Sequence, residues 1–463
     1  MGQGKKEQVA IVGGGLVGSL LSIYLTRRGL EVTVYERRPD LRGPRQEAGR
    51  SINLVVTSRG SEALRQVGLE KKAAKLIVPV NGRVLHALDG ALTFQPYGRN
   101  ESECNHSISR EELNRLLVSE AESRGVRFRF QKRMIGGSLE TGRVRFADEG
   151  GGDPLEVDAS VVLGADGAGS AVRQALQKME GYEESIEPLG HGYKELLIPA
   201  GPGGSFRIEK NALHIWPRGD LMLMALPNLD GSFTVTLYLP GQGTASFDEL
   251  DSPGKVEALF EEQFLDSVSL IPDLAESFLA GPTGELGTVR CHPWHYRDKV
   301  SLIGDAAHAI VPFFGQGMNC GFEDCTVLDE LLDEHGDENW GAVLSDFDES
   351  RKPQADAIAD MALENFVEMR DSVGDARFLL RKQVEHRLEQ EWPDEYRSRY
   401  SMVMYGSVPY RVAQQAGEIE GEILDRLCDG LQDVGDLDLP RARRMIREKL
   451  TPFLRESSVD LGY

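Results

Sequence analysis

The sequence predicts an α/β protein in which an open, helix-flanked parallel sheet is joined to a second, mostly antiparallel sheet and a helical C-terminal region. Three observations predict it. The chain opens with a strand–helix–strand unit. Residues 9–12 are an apolar run of strand length, Gly13-Gly14-Gly15 make a turn, residues 16–28 read as an apolar helix ended by Gly29, and residues 31–36 are a second strand. The middle of the chain, residues 192–239, alternates with the two-residue period of a half-buried sheet. From Trp340 onward nearly everything is charged, helix-type sequence. At 463 residues, 40% hydrophobic and 27% charged, the chain is long enough for about two or three domains and a sizeable core.

The remaining elements follow in order. Residues 39–50 are a charged loop, 58–68 and 111–125 read as helices, and 127–130, 143–146 and 155–164 read as strands. In the middle sheet the strands are 212–216, 221–226 and 233–239, with turns at 199–204 and 240–243. Residues 300–303 are a short buried strand that returns to the first domain, and 319–334 are helical. Met445, Ile446, Leu450, Phe453 and Leu454 form a stripe on one helical face, expected to pack on the body of the protein.

A formal net charge of −22 disfavours nucleic acid and anionic lipid surfaces as partners. Any anionic ligand has to be met by locally placed Arg, Lys or helix N-termini. The five cysteines are scattered without zinc spacing, so they read as reduced thiols and no metal is expected. The polar lead has no signal-peptide core, and no apolar run approaches the roughly 18 residues of a membrane span. A cytoplasmic protein, monomer or homodimer, is expected.

Three motifs carry the chemistry. Gly13-x-Gly15-x-x-Gly18 follows a strand and opens a helix. Gly13 permits the tight turn, Gly15 lets backbone approach a pyrophosphate, and Gly18 lets helix and strand pack closely, with Leu16 and Val17 beginning the helix that faces the phosphates. Glu36 ends the second strand, where its carboxylate suits ribose hydroxyls and repels a phosphorylated ribose, so FAD or NAD fits and NADP does not. The second motif runs from strand 161–164 into Gly164-Ala165-Asp166-Gly167, followed by Val172-Arg173; Asp166 also suits a helix cap. The third is Gly304-Asp305-Ala306-Ala307-His308 with Pro312-Phe313-Phe314-Gly315-Gln316-Gly317-Met318-Asn319. There a carboxylate directly after a buried strand can accept from a sugar-alcohol hydroxyl, and the Gly-Gln-Gly turn opens a helix with free N–H groups.

In order and spacing the three motifs resemble the FAD-dependent aromatic hydroxylase family of the para-hydroxybenzoate hydroxylase type. The resemblance implies that the first motif, with Glu36 and Arg37, holds the ADP part of FAD. It implies that Asp166 lies near the cofactor, that Gly304 and Asp305 meet the ribityl chain, that Gly315, Gly317, Met318 and Asn319 lie near the isoalloxazine ring, and that Arg110 adds a basic contact. With one dinucleotide fingerprint present, NADPH is expected as a transient co-substrate. The implied domains are a Rossmann-like FAD-binding domain in three parts (1–75, 100–180 and 286–345), a mostly antiparallel β-sheet substrate domain in two (76–99 and 181–285), and a C-terminal helical region (346–463).

Further segments resemble the kynurenine-hydroxylating members of that family: residues 36–40, 49–54, 95–99, 191–196, 211–217, 225–230, 361–369 and 399–403, the last two being unlike generic family sequence. The resemblance implies hydroxylation of L-kynurenine to 3-hydroxykynurenine in tryptophan degradation, with NADPH and O2, through a C4a-hydroperoxyflavin. The substrate's carboxylate calls for a guanidinium with hydroxyl and amide help, and by resemblance Arg83, Tyr97, Asn365 and Tyr400 supply it. Asn365 is an unfavourable mid-helix residue unless its amide has a partner, whereas Arg83 also suits a solvated surface and Tyr97 a turn. Phe233, Pro312, Phe313, Phe314 and Met369 are the implied apolar wall, though any of them singly is more often ordinary core. Some family members carry His at the position of Phe314, which puts a polar role there in doubt. The substrate's own ring amino group activates it, so no side chain is assigned as catalytic acid or base. Eukaryotic members carry a C-terminal membrane anchor, and no such segment is expected here. Two other readings are a relative acting on salicylate or a hydroxybenzoate, and a redox-inactive flavin-fold binding protein, against which Asp305 and the Gly-Gln-Gly turn argue.

Overall fold

The structure is a computed structural model that describes residues 8–43, 53–100, 103–371 and 376–459. Residues 49–52, part of one resembling segment, lie outside the described residues. The chain divides into two compact units, one of residues 1–77, 108–189 and 285–359, the other of 78–107, 190–284 and 360–463.

The first unit is built on a six-stranded sheet in the order His295–Tyr296, Val300–Leu302, Val161–Gly164, Gln8–Val12, Glu31–Tyr35, Arg127–Arg129. All neighbours run parallel except the two-residue edge strand. Val9, Ile11, Val32, Val34, Val161 and Val162 are buried, as expected of parallel strands covered on both faces. The helix Leu16–Arg27 buries nearly its whole surface and ends at Gly29, whose φ of +85° the chain reversal requires. The register sets Val12 beside both Gly164 and Tyr35, and Gly164 beside Leu302. The three motifs, far apart in sequence, therefore emerge side by side from the carboxyl ends of adjacent strands, where open α/β sheets bind ligands.

One expected strand is two. Residues 155–164 split into Leu155–Asp158, an outer strand of a three-stranded antiparallel sheet with Arg143–Asp148 and Lys132–Ser138, and Val161–Gly164 in the parallel sheet. The break falls at Ala159-Ser160, where backbone bonds leave one sheet for the other: Ala159 N–H donates to Gly142 and Ser160 N–H to Gln8.

The second unit contains the strands Glu183–Ile198 (from residue 190), Phe233–Pro240, Leu221–Pro227, Ala212–Arg218, Gly82–His86 and Leu92–Pro96, in that order across the sheet. Only Gly82–His86 and Ala212–Arg218 pair in parallel. One face carries Trp216, Leu223, Phe233, Val235 and Leu237 into a core shared with Val256, Phe260, Phe264 and Phe278. The helices Ala376–Glu391, Arg399–Met404 and Tyr410–Cys428 belong to the same unit, and the unit boundary at 359/360 falls inside the helix Trp340–Asp371. The C-terminal stripe is buried at Ile446, Leu450 and Leu454, with Met445 and Phe453 half-buried. Among the described residues no helix is long and apolar enough to cross a membrane.

Candidate active site

At the first motif each glycine has a separate reason. Gly13 has φ +106°, and a Cβ there would lie 2.3 Å from the Ala165 carbonyl oxygen; one on Gly18 would lie 2.0 Å from that of Gly13. A Cβ on Gly15 would meet nothing within 4 Å. That open space lies at the helix start, where Ser19 N–H is the first to bond back, to Gly15. The N–H groups of Leu16, Val17 and Gly18 precede the ladder, no acidic side chain occupies the first turn, and no side chain caps it. The cradle fits a pyrophosphate.

Glu36 closes the strand Glu31–Tyr35, and its carboxylate accepts from Gly14 N–H at 2.7 Å and from the N–H and Nε of Arg38 at 2.9 Å. Burial opposes its ionisation, but the Arg38 contacts and Gly14 N–H outweigh this and hold its pKa below the ordinary value. It is a fixed anion, suited to accept from ribose. Arg37 and Arg110 are exposed.

Asp166 is turned to its own helix. It accepts from Ser170 Oγ and from Ala171 N–H at 2.7 Å, while burial pushes its carboxyl up. Buried Arg173 donates to the Ala306 carbonyl at 2.9 Å and to that of Ala168, so it ties the second motif to the third. Val17 packs against Gly304 and Gly321, tying the first motif to the third as well.

In the third motif Asp305 is half-buried, and its carboxylate has no partner among the described residues, as a group awaiting hydroxyls would. Gly315 is left-handed at φ +66°. Cys320 N–H is the first in its helix to bond back, to Gln316, which leaves the N–H groups of Gly317, Met318 and Asn319 ahead of the ladder. The Asn319 side chain is committed to structure. Its Oδ1 accepts from Thr57 N–H at 3.0 Å, and its Nδ2 donates to Val55 at 2.8 Å and Gly315 at 2.9 Å. Only its backbone can face a ligand.

Beneath the third motif lies a buried network that the sequence reading missed. Asp324 accepts from Gly304 N–H at 2.9 Å, His308 Nε2 at 2.7 Å and Arg351 Nε at 2.8 Å. Burial opposes the charge of Asp324, but His308 and Arg351 hold its pKa down at about 2. His308, Cys320 and Asp324 converge like metal ligands. The Arg351 guanidinium, 3.4 Å from Cys320 Sγ, already supplies the positive charge there. The sequence offered little signal, a Glu323-Asp324 pair set between Gly321-Phe322 and Cys325.

In the second unit Arg83, Tyr97 and Tyr400 come together. The two tyrosine rings stack at 5.6 Å, and the Arg83 charge acts on both phenols. Burial pushes Tyr97 up to about 12 and Tyr400 higher still, so both hydroxyls remain protonated at neutral pH. Asn105 Nδ2 donates to Tyr400 Oη at 2.9 Å, and Arg83 Nε donates to Gln95 Oε1 at 2.6 Å. Asn365 Nδ2 lies 3.5 Å from the sulfur of Met369, one turn on.

Strand alternation sorts the apolar candidates. Arg83 registers with Leu213, Ile215 with Met224, and Leu226 with Thr234, so Leu213, Ile215, Met224 and Leu226 share the face of Arg83. Leu213, Met224 and Leu226 are half-buried, an accessible apolar floor. Phe233 is fully buried on the opposite face, edge-on to Phe206 and His214. The ring of Phe233 is enclosed in core, on the face away from Arg83. Pro312, Phe313 and Phe314 form a short 3-10 turn in the first unit, with both phenylalanines buried.

A family model described as an FAD binding domain matches residues 6–193 and 262–362. A protein of Myxococcus xanthus named kynurenine 3-monooxygenase is 53% identical over 457 residues, 98% of each chain. The chain belongs to the kynurenine 3-monooxygenase family. Proteins of the same name from Flavobacterium psychrophilum and Xanthomonas oryzae are each 45% identical, covering 91% and 96% of this chain and 94% and 98% of theirs. Among solved structures, a tetrameric 2-methyl-3-hydroxypyridine-5-carboxylic acid oxygenase aligns with TM-score 0.64 at 19% identity, over 80% of this chain and 94% of that one. The tetracycline destructase Tet(51) aligns with TM-score 0.60 at 16% identity, over 80% and 93%. At such identities these two speak for the fold alone. This member of the kynurenine 3-monooxygenase family is a flavoprotein, and the open cradle at Gly15, the fixed Glu36 anion and the free Asp305 carboxylate all fit FAD.

Proposed function

We propose that the protein hydroxylates L-kynurenine with NADPH and O2, giving 3-hydroxykynurenine, NADP+ and water. The observation that carries this reading is the convergence of Arg83 with two protonated tyrosine hydroxyls beside a half-buried apolar floor. A guanidinium with two O–H donors recognises a carboxylate, and the floor suits an aminoaryl ring. Arg83, Tyr97, Tyr400 and Asn365 bind the carboxylate, while Met369 with Leu213, Met224 and Leu226 contacts the ring. Pro312, Phe313 and Phe314 are proposed ring contacts on the family resemblance.

Bound FAD supplies the two-electron chemistry that activates O2. The chain's own task is to hold it. Leu16, Val17 and Gly18 N–H groups would hold the pyrophosphate, Glu36 and Arg37 the adenosine end, Asp305 the ribityl hydroxyls, and Gly317, Met318 and Asn319 N–H groups the ring, with Arg110 as a further cation. NADPH visits without a fingerprint of its own. A cytoplasmic location is proposed, in keeping with five free cysteines. The test is NADPH oxidation by the purified yellow protein with and without L-kynurenine, the product identified by mass. Strong stimulation with gain of one oxygen is expected. A yellow protein that kynurenine does not stimulate would sink the substrate assignment.

A further inference from the structure

Arg399, next to Tyr400, is anchored in three independent ways. Its N–H donates to the buried Glu420 carboxylate at 2.9 Å. Its stem lies over Gly417, where a Cβ would stand 2.4 Å from Arg399 Cδ. Its guanidinium pairs with Glu364, the residue before Asn365. Gly417 and Glu420 are on the helix Tyr410–Cys428, Tyr400 is on Arg399–Met404, and Asn365 is on Trp340–Asp371. One side chain therefore links the helices that carry two of the four proposed carboxylate contacts to a third helix. Nothing in the reaction requires this ion pair, and no part of the proposed site includes it. A surface arginine whose stem needs a glycine beneath it has little freedom to swing, so its ion pair imposes a distance that a solvated pair would not.

We propose that Arg399 and Glu364 are positioning residues that set the spacing of Tyr400 and Asn365, and so tune recognition of the substrate carboxylate. This rests on the kynurenine reading. The two residues act on binding geometry and not on the reacting atoms, so their loss raises KM and leaves kcat near its wild-type value. Arg399→Met keeps the stem over Gly417 and removes the charge, and Glu364→Gln removes the other partner at a half-exposed position. An exposed ion pair is worth up to about 1 kcal/mol, so each change is expected to raise KM for L-kynurenine about three- to fivefold. The double variant is expected to raise it no further than the worse single one, since the pair acts as a unit.

The test is steady-state NADPH oxidation by the FAD-loaded full chain across kynurenine concentrations, with thermal unfolding alongside. Unchanged KM in Glu364→Gln, which is half-exposed and suited to fold normally, would overturn the proposal. So would additive effects in the double variant, or a fall in kcat as large as the rise in KM. A wild-type protein that kynurenine does not stimulate would instead overturn the functional reading, so the two failures are distinguishable.

Discussion

In the first unit the glycines at 13, 15 and 18 shape a site within one turn and the helix it opens. In the second, Arg83, Tyr97, Asn365 and Tyr400 arrive from separate stretches of chain, and each depends on what packs around it. Backbone does the recognition in the first region: N–H groups ahead of a helical ladder, and a space that only the lack of a side chain leaves open. Side chains are proposed to do it in the second, and their arrangement rests on stacking, burial and register. Backbone sites tolerate almost no substitution at a few positions, whereas side-chain sites fail by degrees.

The largest effects test that contrast within the first region itself. Gly13→Ala forces a left-handed φ on alanine and drives its Cβ against the Ala165 carbonyl, so loss of bound flavin together with a lower unfolding temperature is expected. Gly15→Ala has room in the protein alone. Its unfolding temperature without FAD should match the wild type, while its FAD affinity falls about 10- to 100-fold as the methyl takes space meant for the pyrophosphate. Fluorescence titration of FAD with thermal unfolding of the apo forms decides it. Equal behaviour of the two variants would break the distinction.

Arg83→Ala moves the test to the second region. A charge-assisted contact to carboxylate is worth about 1.5–3 kcal/mol, so kcat/KM for kynurenine should fall about 10- to 100-fold with flavin content unchanged. Kynurenine-stimulated NADPH oxidation in the flavin-loaded variant measures it, and full stimulation would remove Arg83 from the site.

The same contrast explains what the sequence revealed. The opening strand–helix–strand unit was legible to within a residue or two, because periodicity and glycine spacing are local. Residues 155–164 read as one strand because β-type sequence continues through Ala159-Ser160, and nothing local says that the two halves join different sheets. The face that Phe233 takes was not legible for a related reason. Alternation shows that Phe233 and Thr234 point to opposite faces, but which face Arg83 shares depends on pairing across four strands. The Asp324 network was hidden because its partners Gly304, His308 and Arg351 meet only in three dimensions.

That network gives a smaller effect with a clear sign. The carboxyl of Asp324 is held at about 2, below its ordinary value, so its stabilisation is present above the unfolded-state pKa and is lost as pH falls through about 2. On the order of 2 kcal/mol should disappear over that acid window. Denaturant unfolding as a function of pH should show a slope there that Asp324→Asn lacks, in a variant that is less stable at neutral pH. An unchanged slope would mean that other carboxyls dominate acid unfolding.

The smallest effects separate the two faces of the second sheet. Leu226 is half-buried on the face of Arg83, and Phe233 is fully enclosed on the other. Leu226→Ala removes apolar surface from the proposed floor while disturbing little core, so KM for kynurenine should rise about three- to tenfold with a small change in unfolding temperature. Phe233→Leu shrinks a ring packed against Phe206 and His214, so stability should fall by about 1 kcal/mol or somewhat more while KM stays within twofold. Measured together, the two variants ask whether binding and folding are carried by opposite sides of one sheet. If Phe233→Leu raised KM more than Leu226→Ala did, the substrate would lie on the far face from Arg83, and the carboxylate role of that arginine would fall with the register argument that places it.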